Sequence, residues 1–279
     1  MLGVVIVNYR NYDLAESFLK CTLPKLGVPY RAVVVDNGAT PEESARLQEE
    51  TGVHVIPHAN EGFAVGNNVG IEWLSSFPDV DTILFSNTDI EIPEEAVMIP
   101  LLDRLSNDPG IGIIAPDVVG LDGKRQSPEP YIPLWDKYVW VYLETPFLSA
   151  ERKEERFYFH YAEQAGEGFH YKLMGSFFLC RKQDLEEIGG FDPNTFLFGE
   201  EAILTERMKT IGKRPFFLPS VKVIHHHGAT VSSHFSKRRV ALERFRSEAY
   251  YYRRYRGYSR VSIALAGLLF RFISLFLWR

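Results

Sequence analysis

Four short, mainly apolar runs alternate with helix-period segments over residues 1–90, and no other feature limits the fold as strongly. The runs are LGVVIV at 2–7, AVVV at 32–35, VHVIP at 53–57 and TILF at 82–85. Continuous hydrophobicity marks strands buried on both faces, the condition of a parallel sheet. Between the runs, Asp13 to Lys25 places Leu14, Phe18 and Leu19 on one side of a helix. Pro41 to Thr51 reads as a second helix, with Thr40 as N-cap and Pro41 at its first position. Ala64 to Leu74 reads as a third. The order β-α-β-α-β-α-β implies an α/β fold with a mostly parallel central sheet and helices on both faces.

Ligands of such sheets bind beyond the carboxyl ends of the strands. Those ends carry Asn8-Tyr9, Asp36-Asn37, Asn60-Glu61-Gly62 and Asn87-Thr88-Asp89. Asn, Asp and Gly also favour turns, so any one cluster reads equally well as a turn. Four clusters converging on one sheet edge point to a binding site. Asp89, after the strand TILF, can hold Mg²⁺ or Mn²⁺, ions that bind through one or two carboxylates plus substrate phosphates.

A length of 279 residues accommodates one sizeable α/β domain plus an appendage. Cys21 and Cys180 form no CxxC pair and read as reduced, buried thiols of a reducing compartment. The opening apolar run is too short for a signal-peptide core, so the body is expected in the cytoplasm. Residues 234–279 hold eleven Lys/Arg and two Glu, a balance of +9 that leaves −14 on the rest of a chain of net charge −5. An acidic body with a basic tail does not suit a nucleic-acid binder.

The division expected is an α/β domain over 1–232, with an irregular region at 121–171 rich in Pro, Tyr, Trp and Phe, and a helical tail over 233–279. The tail pairs a Tyr/Arg-rich segment with an apolar segment, VSIALAGLLFRFISLFLW, that Arg271 interrupts. Such a tail packs on the body, packs on a second copy in a homodimer, lies on an anionic membrane surface, or spans the membrane.

Seven segments carry a resemblance, in this order: VVIVNYR, DNGAT, HANEGFAVGNNVGI, FSNTDIE, MGSFFLCRK, GGFDPNTFLFGEEAILTERM and VIHHHGAT. Together they resemble family-2 glycosyltransferases of GT-A fold, nearest to the rhamnosyltransferase-like branch that builds bacterial surface polysaccharide. The resemblance covers residues 3–230 and is weakest over 121–171. It implies a donor-nucleotide pocket formed by Val7, Asn8, Tyr9, Asp36, Gly62, Phe63, Asn67, Asn68 and Asn87. Tyr9 would pack on the base and Asp36 would hold base or ribose. The bare alternative for Asn67 and Asn68 is helix capping.

The same resemblance implies a divalent cation, Mn²⁺ or Mg²⁺, held by Asp89 and His225. His225 opens the pattern His-x-x-Gly-x-Thr, and Asn87 stands where the family often has an acid. The run His225-His226-His227 reads alternatively as part of a zinc site. Glu201 takes the place of the family's general base, with Glu200 as the alternative, and Ile203 replaces a further acid.

The implied reaction is inverting transfer of a sugar, rhamnose by resemblance, from a dTDP-, UDP- or GDP-sugar. The acceptor is a hydroxyl of a glycan or lipid-linked glycan, and the enzyme works at the cytoplasmic membrane face. A non-catalytic relative that binds nucleotide-sugar is the competing reading, motivated by Ile203 and Glu201. A sugar nucleotidyltransferase would need a Gly-rich loop after the first strand, and NYRNYD has no glycine.

Overall fold

The computed structural model describes residues 1–149, 152, 159–226 and 237–277. The expected boundary between 232 and 233 lies outside them, as do His227, Gly228 and Thr230. The first half runs β1 (Leu2–Asn8), α1 (Tyr12–Ser17, continuing as helical turns to Leu26), β2 (Tyr30–Asn37), α2 (Pro41–Thr51) and β3 (His54–His58). It continues with α3 (Phe63–Ser75), β4 (Thr82–Ser86), β5 (Ile90–Glu91), α4 (Met98–Asn107) and β6 (Ile111–Val119). Next come α5 (Val141–Glu144), extending a π-helical turn at Asp136–Trp140, α6 (Phe159–Gln164), β7 (Gly168–Phe169) and β8 (Phe177–Arg181). The chain closes with α7 (Lys182–Ile188), α8 (Glu200–Thr210), β9 (Arg214–His225), α9 (Lys237–Arg254) and α10 (Arg260–Leu277).

The nine-stranded sheet has the order β3-β2-β1-β4-β8-β6-β9-β5, with β7 also pairing with β9. Strands β1 to β4 pair in parallel, and so do β6 and β9. Strand β8 runs antiparallel between β4 and β6. Two apolar layers cover the sheet, one centred on Val4, Ile6 and Leu84, the other on Val5, Ile83 and Phe85. The alternation along β1 shows why its residues read as one apolar run: both faces are core. Thr40 caps α2 as expected, with Glu43 completing a capping box. Cys180 is buried in β8, whereas Cys21 is exposed. The small turns after Phe18 leave its thiol outside the core, against the sequence expectation.

The tail helices pack on the body. A third apolar cluster joins Phe245, Tyr251, Tyr252, Ala266 and Phe270 of the tail to Leu134, Tyr138, Val139, Ala202 and Ile203. Burying an aromatic such as Phe270 contributes roughly 2–3 kcal/mol. Polar contacts reinforce the seam. Lys137 pairs with Glu248 at 2.8 Å, Tyr138 donates to Glu248 at 2.8 Å, and Tyr250 and Tyr255 both donate to Asp192.

The candidate active site

The parallel strands bring Asn8, Asp36 and Asn37 side by side, because register pairs Asn8 with Asp36. Asp36 is fully buried. Asn8 Nδ2 donates to its Oδ1 and Ser44 Oγ to its Oδ2, both at 2.9 Å. Burial raises its pKa against the opposing effect of these hydrogen bonds. Asp36 therefore ties the end of β1 to α2. Asn8 Oδ1 is buried without a partner. Tyr9 lies against Gly38, where a Cβ would come within 3.4 Å of its ring, and Val7 packs on Gly66.

The turn at Gly62 has φ 104°, and a Cβ there would sit 2.4 Å from the Phe196 carbonyl. Only glycine fits this approach. Phe63 N–H donates to that same carbonyl at 2.9 Å, pinning the turn to the 193–198 loop. Asn37 Nδ2 donates to the Gly62 carbonyl at 3.2 Å. Asn67 is buried and donates to the Phe63 carbonyl at 3.0 Å. Asn68 clamps the Phe191 backbone from both sides, at 2.9 and 2.8 Å. Asn68 thereby docks α3 onto the loop that leads to α8, while Asn67 bonds back to the first turn of its own helix.

Asp89 and His225 meet because β5 pairs antiparallel with β9, Ile90 opposite His225. Asp89 Oδ1 lies 3.3 Å from His225 Nε2, and both side chains are nearly buried. His225 Nδ1 lies 2.7 Å from Gln126 Oε1, and Gln126 Nε2 faces the His225 carbonyl at 3.5 Å. With that amide orientation Nδ1 carries a hydrogen, and Nε2 is the nitrogen that faces the carboxylate. An imidazole nitrogen and a carboxylate oxygen at this distance can share a proton or a cation between them. A hard divalent ion with one carboxylate, one imidazole and substrate phosphates suits the pair.

Among the described residues no three His, Cys, Asp or Glu gather at one point. His226 turns to Glu91 instead, at 3.0 Å. Neighbouring residues of an extended segment face opposite sides, so His225 and His226 do not share a zinc site.

Asn87 is held by its N–H, which donates to the Ser176 carbonyl at 2.8 Å. The residue before Ser176 is Gly175, and a Cβ there would fall 2.6 Å from Glu201 Oε1. A glycine at 175 thus lets the Glu201 carboxylate lie against the strand-end backbone. Glu201 also acts on Lys172, whose ammonium is stabilised by Glu129 first and Glu201 next, against the opposing effect of burial. Lys172 bonds Glu129 at 2.9 Å. Gly175, Gln126, Lys172 and Glu129 belong to the site's frame, and the sequence marks none of the last three. The sole signal was the glycine in the MGSFF segment. Ile203 is core, packed in the cluster beneath the tail, so the family's missing acid falls on an inward-facing position.

Glu200 is 5% exposed, and its Oε1 has no partner. Burial, then the charge of Glu201, raises its pKa from 4.5 to about 8. At neutral pH Glu200 is protonated and cannot accept a proton, which favours Glu201 as base. Linkage gives a sign. The folded chain keeps a proton that the unfolded chain loses near 4.5, so stability falls as pH rises from there to about 8. Glu200→Gln is expected to remove that fall, at up to ~1.4 kcal/mol per pH unit. Thermal melts of both proteins across this range test it; parallel curves would refute the buried acid.

Among the described residues a cavity of about 580 Å³ opens between Glu61, Phe196 and α9, which lines it with Arg239, Glu243 and Arg246. It adjoins the Gly62 turn on one side and the loop before Glu200 on the other.

No family model matches the chain. The chain is 27% identical over 248 residues to the N-acetylglucosaminyl-diphospho-decaprenol L-rhamnosyltransferase of Mycobacterium tuberculosis, covering 81% of this chain and 76% of that enzyme. It is 26% identical over 131 residues to the low-salt glycan biosynthesis hexosyltransferase Agl10 of Haloferax volcanii, covering 46% and 41%. Its fold matches the mannosyltransferase PcManGT of Pyrobaculum calidifontis, solved with GDP-Man and Mn²⁺, at TM-score 0.59 and 14% identity over 93% of this chain. It also matches S. aureus TarS 1–349 in complex with UDP, at TM-score 0.53 and 14% identity over 89% of this chain. The chain spans 65% and 64% of those two solved proteins.

Sheet order and fold matches together define a GT-A fold. The chain is a glycosyltransferase, similar in sequence to the rhamnosyltransferase-like enzymes of family 2.

Proposed function

We propose that the chain transfers a hexosyl group, rhamnose by similarity, from a nucleoside diphosphate sugar to a hydroxyl of a lipid-linked glycan, with inversion. The observation that carries this is the Asp89–His225 pair, set at the strand ends beside the backbone on which Glu201 rests. Asn8 and Tyr9 line the nucleoside side, with Asp36 orienting Asn8. Asp89 and His225 would hold Mn²⁺ or Mg²⁺ next to the diphosphate. Such an ion, when bound, neutralises charge gathering on the departing diphosphate. Glu201 takes the proton of the acceptor hydroxyl as its oxygen attacks the anomeric carbon. The bond to the diphosphate oxygen breaks on the opposite face, and the electron pair leaves with the phosphate.

The cavity beside Phe196 would admit the acceptor saccharide, whose lipid chain then places the enzyme at the cytoplasmic face of a membrane. A thermal-shift panel tests the donor half. Saturating dTDP, UDP or GDP with Mn²⁺ or Mg²⁺ should raise Tm by about 5 °C for the preferred base. If none of the nucleotides shifts the melt, with or without metal, the transferase reading fails.

A further inference from the structure

Helix α10 has 18 residues, and among the described residues no helix is long and apolar enough to cross a membrane. Yet α10 is apolar nearly all round. Its inner face carries Ile263, Ala266, Phe270 and Ser274, packed on the body. At 100° per residue, the opposite face carries Val261, Leu265, Leu268, Phe272 and Leu275. These are 69%, 50%, 67%, 62% and 46% exposed. A contiguous apolar stripe of this kind marks an interaction surface, since scattered exposed apolar residues do not align along a helix.

Charge narrows the occupant. No Asp or Glu follows Glu248 in the chain, while Arg253, Arg254, Arg260 and Arg271 are exposed in the described part of that stretch and Arg256 pairs with Glu206. Arg260 and Arg271 are eleven residues apart, so they project from one flank of α10, beside the apolar stripe. Arg253 and Arg254 add exposed charge at the end of α9. An antiparallel pair of copies joined through this stripe would set arginine against arginine. An apolar face flanked along one side by arginine, on a helix without an acid, fits a bilayer interface, where side chains enter the acyl boundary and guanidinium groups meet phosphate.

We infer that α10 is a monotopic membrane anchor, welded to the catalytic body by one face and immersed in an anionic lipid surface by the other. The body and the anchor share one core, so the catalytic cleft is held at a set orientation to the lipid. The inference rests on the surface of α10 and not on the identity of donor or acceptor.

The test uses the full chain and flotation with phosphatidylcholine vesicles, with and without phosphatidylglycerol. The wild-type protein should float with the phosphatidylglycerol vesicles and much less with phosphatidylcholine alone. Leu265→Ser, Leu268→Ser and Phe272→Ser together should weaken this at least roughly tenfold. Arg260→Ser with Arg271→Ser should remove the preference for phosphatidylglycerol. Melting temperature and nucleotide binding serve as fold controls.

A second measurement does not depend on a destabilising variant. Leu268→Cys in a Cys21→Ser background, carrying a polarity-sensitive dye, should shift to the blue on addition of anionic vesicles. A wild-type protein that ignores anionic vesicles, a triple variant that floats unchanged, or a dye without a shift would each overturn the proposal. So would a dimer that the triple variant dissolves while vesicle binding persists. Because nucleotide binding is read separately, failure of the anchor leaves the transferase reading standing.

Discussion

Glu201→Gln should lower kcat by about 10²- to 10⁴-fold while leaving donor affinity nearly unchanged. The carboxylate lies against Gly175, one residue from the carbonyl that holds Asn87. It sits beside the ammonium of Lys172, which keeps a charged partner near it in the half-buried frame. Gln preserves size and hydrogen bonding but cannot take a proton. The loss should therefore appear in the transition state alone, in kcat and kcat/KM together.

Glu200→Gln is the control. Glu200 is buried and protonated at neutral pH, so its variant should keep most turnover and show the change in stability described above. The measurement is initial rate against a true acceptor, with calorimetric donor binding on the same preparations. If Glu200→Gln loses turnover and Glu201→Gln keeps it, the base is Glu200. If both keep full kcat, neither carboxylate is the base. A Gly175→Ala variant gives an independent reading, because its Cβ would displace the Glu201 carboxylate without altering its chemistry.

Asp89→Ala and His225→Ala should each cost at least about 10²-fold in metal-dependent affinity for the nucleoside diphosphate. Each removes one of the two protein groups that converge at 3.3 Å. Gln126 touches only the far nitrogen of the ring. Its replacement by Leu should cost roughly 10- to 100-fold, by freeing the tautomer that aims Nε2 at Asp89. Calorimetry of the nucleoside diphosphate at increasing Mn²⁺ reads all three. Asp89→Ala with an unaltered Mn²⁺ dependence would exclude Asp89 as a ligand. A ranking in which Gln126→Leu is worse than His225→Ala would mean that the glutamine binds the donor directly.

Much of this arrangement was legible in the residues. The continuous runs of β1, β2 and β4 reported strands with core on both faces, and the Thr40 cap reported where α2 begins. These are local signals, read over a few residues of hydrophobic period and capping chemistry. Strand order follows from them through chain connectivity, and it set Asn8 beside Asp36 and placed Asp89 at a strand end.

Other features depend on which residues from distant segments meet, and no local pattern encodes that. The partners that Asp36, Asn67 and Asn68 take within the fold, Asn8 and the Phe63 and Phe191 backbone, cannot be read from the sequence around them. Gln126 lies 99 residues from His225 in the chain, yet it sets the tautomer of that ring. The two faces of α10 show the division most plainly. Its sequence announces an apolar helix with an arginine in it, and stops there. Packing of Phe270 against Tyr138 decides which face is core, and thereby leaves Leu265, Leu268 and Phe272 pointing outward. A periodic sequence determines that a helix has apolar sides; only the tertiary contacts, which bury one side and not the other, determine what each side is for.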